Sequence, residues 1–327
     1  MPFGIFFLDQ PPEIELPIPD YRLGREGDEA APSQDLLDVI DLSVQRQAWF
    51  WDHAIKLGLG PASVTRATLE DEPSAVAAAA ARELDYTVAG RARMSRGDAR
   101  NHLRRRFEER GGLAIFTSMV GNDNHRMLDR GEFRGFTLAD EVSPLIFVNS
   151  SDESLSGQIF TFLHEYAHVV LRATGISDED PAAKATGVEA WCNAVAAEVL
   201  VPAADLKEQF RLDVPMVGEL DRLSSRYLCS TLVILLKARD LGLVPSTGFD
   251  AVYRAEEARA VEAFEYQRAQ SGGGEFYANQ PFRIGERLSR AVLSDVREGG
   301  TTYTEAFRIL GLRNVEQLNK YATHLGI

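Results

Sequence analysis

His164, Glu165 and His168 are the residues of this sequence whose types and spacing most directly suggest chemistry. Two histidines four residues apart on a helix lie on one face, so both imidazoles can reach a single ion. Glu165 projects beside that face, where it could polarise a water molecule, as in the H-E-x-x-H arrangement of zinc hydrolases. The spacing therefore predicts a metal site with hydrolytic chemistry.

The segment around these residues has the composition of a buried helix. From Ser156 to Leu171 it contains no Lys or Arg, and apolar side chains surround it on nearly every side. Burying an unpaired ionisable group costs on the order of several kcal/mol, and a divalent cation would remove that cost. The alternative interpretation is a chance match, with two histidines in the core and a solvated glutamate.

A zinc hydrolase needs a third protein ligand and keeps a fourth position for water. Glu189 is the first acidic residue on the next helical segment and lies twenty-one residues after His168. That distance is long enough for a turn and a returning helix. Asn193, one turn further on, is in position to hold the far nitrogen of a ligating histidine.

Two alternatives to a ligand role for Glu189 remain open at this point. Thr186 and Glu189 have the spacing of a capping box, in which the glutamate only reaches back to the start of its helix. Glu198, nine residues after Glu189, is a rival ligand, although a partly solvated helix face suits it better.

Four segments of the chain resemble the ImmA/IrrE zinc metallo-endopeptidases. These segments are Phe133–Asp140, Pro144–Asn149, Phe160–His168 and Glu189–Pro202. The resemblance implies that His164, His168 and Glu189 bind zinc, or another divalent metal, and that Glu165 is the catalytic residue. It favours the ligand interpretation of Glu189 over the capping interpretation.

Members of this family cleave helix-turn-helix repressors and thereby induce mobile-element or stress-response genes. The resemblance implies a zinc-dependent endopeptidase whose protein substrate is a helix-turn-helix repressor, acting in a mobile-element, toxin–antitoxin or stress response. The subgroup it resembles is often joined to an N-terminal helix-turn-helix domain, which we do not find in this sequence. The alternative is a non-cleaving, zinc-stabilised protein that sequesters a repressor or a partner toxin.

Composition narrows the class of protein. The chain has 327 residues, 45% of them hydrophobic, and a formal charge of −14, so direct nucleic-acid binding is not expected. Its two cysteines, Cys192 and Cys229, cannot form a disulfide framework, which favours a cytoplasmic location. We interpret Cys192 as a small buried hydrophobe. We find neither a signal peptide nor a membrane span.

The sequence predicts an α+β fold, mainly helical, with a small, mostly antiparallel three-stranded sheet packed beside the zinc-binding helix pair. We divide the chain into an extended Pro-rich arm (1–32), an N-terminal helical region (33–110), a metallopeptidase core with its following helices (111–245), and a C-terminal helical tail (246–327). The expected strands are Leu113–Val120, Phe133–Leu138 and Leu145–Val148, where the apolar period changes to two. We hypothesise that one of them has an exposed edge that pairs with an extended substrate.

The remaining predictions concern two helical segments and the residue that would stabilise the oxyanion. In Gln34–Leu57 the apolar residues Leu36, Ile40, Val44 and Ala48 lie on one side. In Arg91–Arg110 the run of arginines is interpreted as a solvated face. A donor to the developing oxyanion is also expected, and His125 and Tyr227 are the candidates.

Overall fold

The computed structural model describes residues 18–19, 32–151, 153–177, 187–270 and 275–327. The expected Pro-rich arm (1–32), apart from residues 18, 19 and 32, lies outside the described residues. So do Thr186 of the possible capping box and residues 271–274, a serine and three glycines whose composition is typical of a linker. Within the described residues, no helix combines the length and the apolar composition that crossing a membrane requires.

Helices account for most of the described chain, and the strands lie in one sheet. The strands are β1 (Leu113–Thr117), β2 (Gly135–Leu138), β3 (Leu145–Asn149) and β4 (Gly175–Ser177). The helices are α1 (Gln34–Lys56), α2 (Pro73–Glu83), α3 (Arg96–Glu109), α4 (Leu155–Leu171), α5 (Gly187–Leu200), α6 (Ala203–Gln209), α7 (Met216–Tyr227), α8 (Thr231–Asp240), α9 (Phe249–Gln270), α10 (Phe276–Gln280), α11 (Glu286–Arg297), α12 (Tyr303–Leu310) and α13 (Val315–His324), with a π-helical turn at Pro281–Gly285.

The sheet is mixed and has four strands in the order β1-β3-β2-β4. β1 pairs with β3 in parallel, whereas β2 pairs antiparallel with both β3 and β4. The α+β class is thus confirmed, but the expected sheet of three mostly antiparallel strands was wrong. β2 pairs with one edge of β3, and β1 pairs with the other edge. Because β1 and β3 run in the same direction, their pairing is parallel.

The two faces of the sheet belong to two separate cores. Alternate strand residues, among them Phe116 and Ile146, pack with α2 to α5, α7 and α8 in the first core. Their neighbours, among them Ile115 and Phe147, pack with α1 and α11 to α13 in the second core. Every residue of the four strands is buried, as expected for a sheet covered by helices on both faces. The boundaries of the four regions stay a prediction.

Two sequence interpretations of the flanking helices were wrong. Arg104 of α3 is buried rather than solvated, because it pairs with Glu108 at 2.6 Å and with Glu286 of α11 at 2.9 Å. On α1, Val44 and Ala48 of the predicted apolar side are exposed. Arg46 is buried instead, and its guanidinium donates to the carbonyl oxygen of Ile309 at 3.0 Å.

Candidate metal centre

Helix α4 carries the H-E-x-x-H residues, and local interactions fix both of its ends. The Ser154 hydroxyl accepts a hydrogen bond from the Gly157 amide at the start, the usual role of serine at this position. Arg172 ends the helix in the left-handed conformation, with a φ of 58°. Between these ends nearly every side chain is buried, because the sheet packs on one side of α4 and α5 packs on another.

Three potential metal donors converge between α4 and α5. The Nε2 atoms of His164 and His168 are 3.0 Å apart. The Glu189 carboxylate lies 3.1 Å from Nε2 of His164 through Oε2 and 3.2 Å from Nε2 of His168 through Oε1. All three side chains are buried. Glu189 thus faces the two imidazoles, and its role as a metal ligand stays a prediction.

The chemistry of this donor set fits a divalent cation. Two neutral imidazoles that face each other through ring nitrogens cannot both accept without a donor between them, and a carboxylate beside them adds negative charge. Two histidines and a glutamate form one of the ligand sets that catalytic zinc sites use. Asn193 Oδ1 lies 3.1 Å from Nδ1 of His164. It therefore lies beside the far nitrogen of that ring, and its role in orienting a ligating histidine stays a prediction.

Acidic neighbours dominate the electrostatics of the site. Burial alone would lower the pKa of His168, but Cys192, Glu189 and Glu165 together raise it well above its usual range. Burial raises the pKa of Glu165 against the opposing effect of the two histidines. The surroundings therefore favour positive charge at this point between α4 and α5.

Cys192 has a more specific position than the sequence suggested. It is fully buried, as expected, but its thiol interacts with the imidazole of His168. Glu189, Cys192 and Asn193 occupy positions i, i+3 and i+4 of α5, which share one helix face. One face of α5 therefore contacts both histidines of α4.

Strand β2 contributes two residues that sequence reasoning did not select. The Thr137 hydroxyl lies 2.8 Å from Oε2 of Glu165. A Cβ atom at Gly135 would lie 2.8 Å from Oε1 of the same carboxylate. The signal in the sequence was Gly135 itself, since an isolated glycine within a strand often marks a close approach of another group.

The other predicted residues lie elsewhere or show no contact with the site. Glu198 pairs with Lys237 and accepts a hydrogen bond from the Ala203 amide, so its carboxylate is committed at the far end of α5. The buried Tyr227 hydroxyl donates to Asp205 at 2.6 Å. His125 is exposed between β1 and β2. No contact described for His125 or Tyr227 reaches the cluster, and their oxyanion role stays a prediction.

The edges of the sheet bear on the hypothesis of substrate pairing. β3 and β2 are internal, and the π-helical turn at Pro281–Gly285 packs against β1. At the opposite edge, the Ile176 amide of β4 donates to the carbonyl oxygen of Pro19 at 3.0 Å. Pairing of a substrate with one of the three predicted strands, β1, β2 or β3, stays a prediction.

Comparison with known proteins identifies two segments of the chain. Residues 284–324 match a domain family of unknown function. No curated protein matches the chain. Residues 108–239, which include α4, α5 and all four strands, match the peptidase family described as the IrrE N-terminal-like domain. This segment contains the whole candidate centre, and it is similar to that family of peptidases.

Proposed function

We propose that this protein is a zinc-dependent endopeptidase that cleaves a helix-turn-helix repressor, and thereby controls mobile-element, toxin–antitoxin or stress-response genes. The observation that carries the proposal is the convergence of His164, His168 and Glu189 beside the buried carboxylate of Glu165. The substrate class is supported by the resemblance to the ImmA/IrrE endopeptidases.

In this mechanism His164, His168 and Glu189 would hold the metal. When bound, zinc would polarise the scissile carbonyl and lower the pKa of a water molecule toward ~7. Glu165 lies one residue after His164 and is fully buried. It would take the proton of the attacking water and pass it to the leaving amine.

The surrounding protein keeps these groups in place. Asn193 orients the ring of His164 through its far nitrogen. Helix α4 is buried on nearly every side, and Glu165 has no exposed surface. A dry site strengthens the electrostatic interactions within it.

The decisive experiment combines the protein with a helix-turn-helix regulator from the same genome and detects fragments by mass spectrometry. We expect two fragments from the wild type, and none after a chelator removes the metal. Glu165→Gln should retain stoichiometric zinc but cleave at least about 100-fold more slowly, because it loses the general base.

The controls distinguish the two functional classes. Undiminished cleavage by Glu165→Gln would contradict the mechanism. A stable complex without fragments, formed equally by the wild type and by Glu165→Gln, would identify a binding protein that sequesters its partner. Cleavage of unrelated proteins but not of the regulator would retain the peptidase and reject the proposed substrate.

A further inference from the structure

The two carboxylate oxygens of Glu165 have different surroundings. Oε2 lies 2.8 Å from the hydroxyl of Thr137. Oε1 has no hydrogen-bond partner among the described residues, although the side chain is fully buried. The carboxylate is therefore held at one oxygen and available at the other.

Thr137 is well fixed as a donor because it lies within the sheet. It pairs with Ile146 of β3 and with Gly175 of β4, and its side chain has no exposed surface. Its hydroxyl oxygen also lies 3.0 Å from the main-chain carbonyl oxygen of Glu165. One hydroxyl proton serves one acceptor at a time, and the charged carboxylate is the stronger of the two.

Gly135 shapes the space around the other oxygen. Residues two apart on a strand point to the same face, so Gly135 and Thr137 both face α4. A Cβ atom at Gly135 would lie 2.8 Å from Oε1 of Glu165 and 2.9 Å from the carbonyl oxygen of Phe147. β2 thus presents a donor to Oε2 and no side chain beside Oε1.

We infer that Thr137 is a positioning residue for the peptidase reaction and that Oε1 is the oxygen of Glu165 that handles the proton. This inference rests on the proposed function. The oxygen of the attacking water bonds to the scissile carbonyl carbon as its O–H bond breaks and its proton moves to Oε1. That proton then passes from Oε1 to the leaving nitrogen as the C–N bond breaks. Thr137 keeps its own proton throughout and holds Oε2.

A packing role for Thr137 makes the opposite prediction for a pair of matched variants. Thr137→Val keeps the branched shape and removes the hydroxyl. Thr137→Ser keeps the hydroxyl and removes a methyl group. If the hydroxyl positions Glu165, the serine variant should work and the valine variant should not. If Thr137 only fills space between β2 and α4, the order should reverse.

The test measures kcat, KM and zinc affinity for the wild type, Thr137→Val and Thr137→Ser. The substrate is the intact regulator that the wild type cleaves. We expect Thr137→Val to lower kcat by about 10- to 100-fold, because a misplaced base loses most of its effect. KM and zinc affinity should stay within about twofold of the wild type, and Thr137→Ser should retain most of kcat.

A second measurement reads the orientation of Glu165 without turnover. Crystal structures of the zinc-loaded wild type and Thr137→Val should show one carboxylate orientation in the wild type and a displaced or divided one in the variant. The inference is wrong if Thr137→Val leaves both kcat and the carboxylate unchanged. If the wild type binds no zinc and cleaves nothing, the proposed function itself is wrong, which is a different result.

Discussion

Oε2 of Glu189 lies 3.1 Å from Nε2 of His164, so one contact joins α5 to the helix that carries the H-E-x-x-H residues. Glu189 belongs to the first turn of α5. Its carboxylate is buried among imidazoles rather than turned to solvent. This contact is what changes a two-histidine pattern into a site with three donors.

Glu189 and Glu198 provide a matched pair on the same helix. Loss of a residue that only hydrogen-bonds to a metal ligand typically weakens metal binding by roughly 10- to 100-fold. We expect Glu189→Gln to weaken zinc binding by more than that, because Glu189 is itself a proposed ligand. Glu198→Gln should leave zinc affinity unchanged, because Glu198 pairs with Lys237 instead. Its cost should appear in the free energy of unfolding, at about 1–3 kcal/mol. Chelator competition and urea unfolding measure the two effects. Equal zinc affinities for the two variants would contradict the ligand assignment.

The two cysteines allow a similar comparison. Both are fully buried, but only Cys192 lies beside His168. We expect Cys192→Ala to weaken zinc binding about 10-fold, the low end for such a partner, because a thiol is a weak hydrogen-bonding group. Cys229→Ala loses the same volume from the core and should retain the zinc affinity of the wild type. Chelator competition checks this, and equal effects of the two substitutions would assign Cys192 a packing role alone.

Gly135 should tolerate no side chain. Gly135→Ala places a methyl group against Glu165. Relieving this clash should lower the free energy of unfolding by about 1–3 kcal/mol. We expect loss of cleavage with zinc still bound, because the displaced group is Glu165 rather than a ligand. Gly218→Ala is the control. It lies in α7 with no atom within 4 Å of the added carbon, and should stabilise the protein by about 0.5–1 kcal/mol. Thermal unfolding, zinc content and cleavage rate together test the pair.

The parts of the site that the sequence predicted are those set by helical spacing. His164 and His168 share a face of α4 because they are four residues apart, and Glu189 and Asn193 share a face of α5 for the same reason. The α+β class was confirmed, and residues 108–239 match the peptidase family that the sequence resembled. These features depend on local periodicity, which a single sequence contains.

The parts that the sequence did not predict depend on contacts between distant residues. β4 has three residues, too few to show a period of two. The burial of Arg104 requires Glu286, which is 182 residues away. Thr137 could be recognised only after the sheet had been placed against α4. Sequence periodicity indicates which face of an element is apolar but not which other element covers it.

Glu108 is a buried carboxyl group between α3 and the C-terminal helices. Burial raises its pKa to about 7, against the attraction of Arg104 at 2.6 Å. The other charged or titratable groups facing it are Glu286 and Arg287 of α11 and Tyr321 of α13. Glu108 therefore keeps its proton in the folded chain at pH values where the unfolded chain has released it.

The sign of the resulting pH dependence is fixed by which state binds the proton. Below about pH 4.5 the group is protonated in both states, and its contribution to stability is fully present. As the pH rises toward 7, the free energy of unfolding should fall by up to about 1.4 kcal/mol per pH unit, and the contribution should be lost above 7. Glu108→Gln has no proton to release, so its stability should decline less between pH 5 and pH 8. Urea unfolding of the metal-free protein measures this difference without proton-linked metal binding. Parallel curves for wild type and Glu108→Gln would show that Glu108 is already ionised in the folded chain, with Arg104 compensating for its burial.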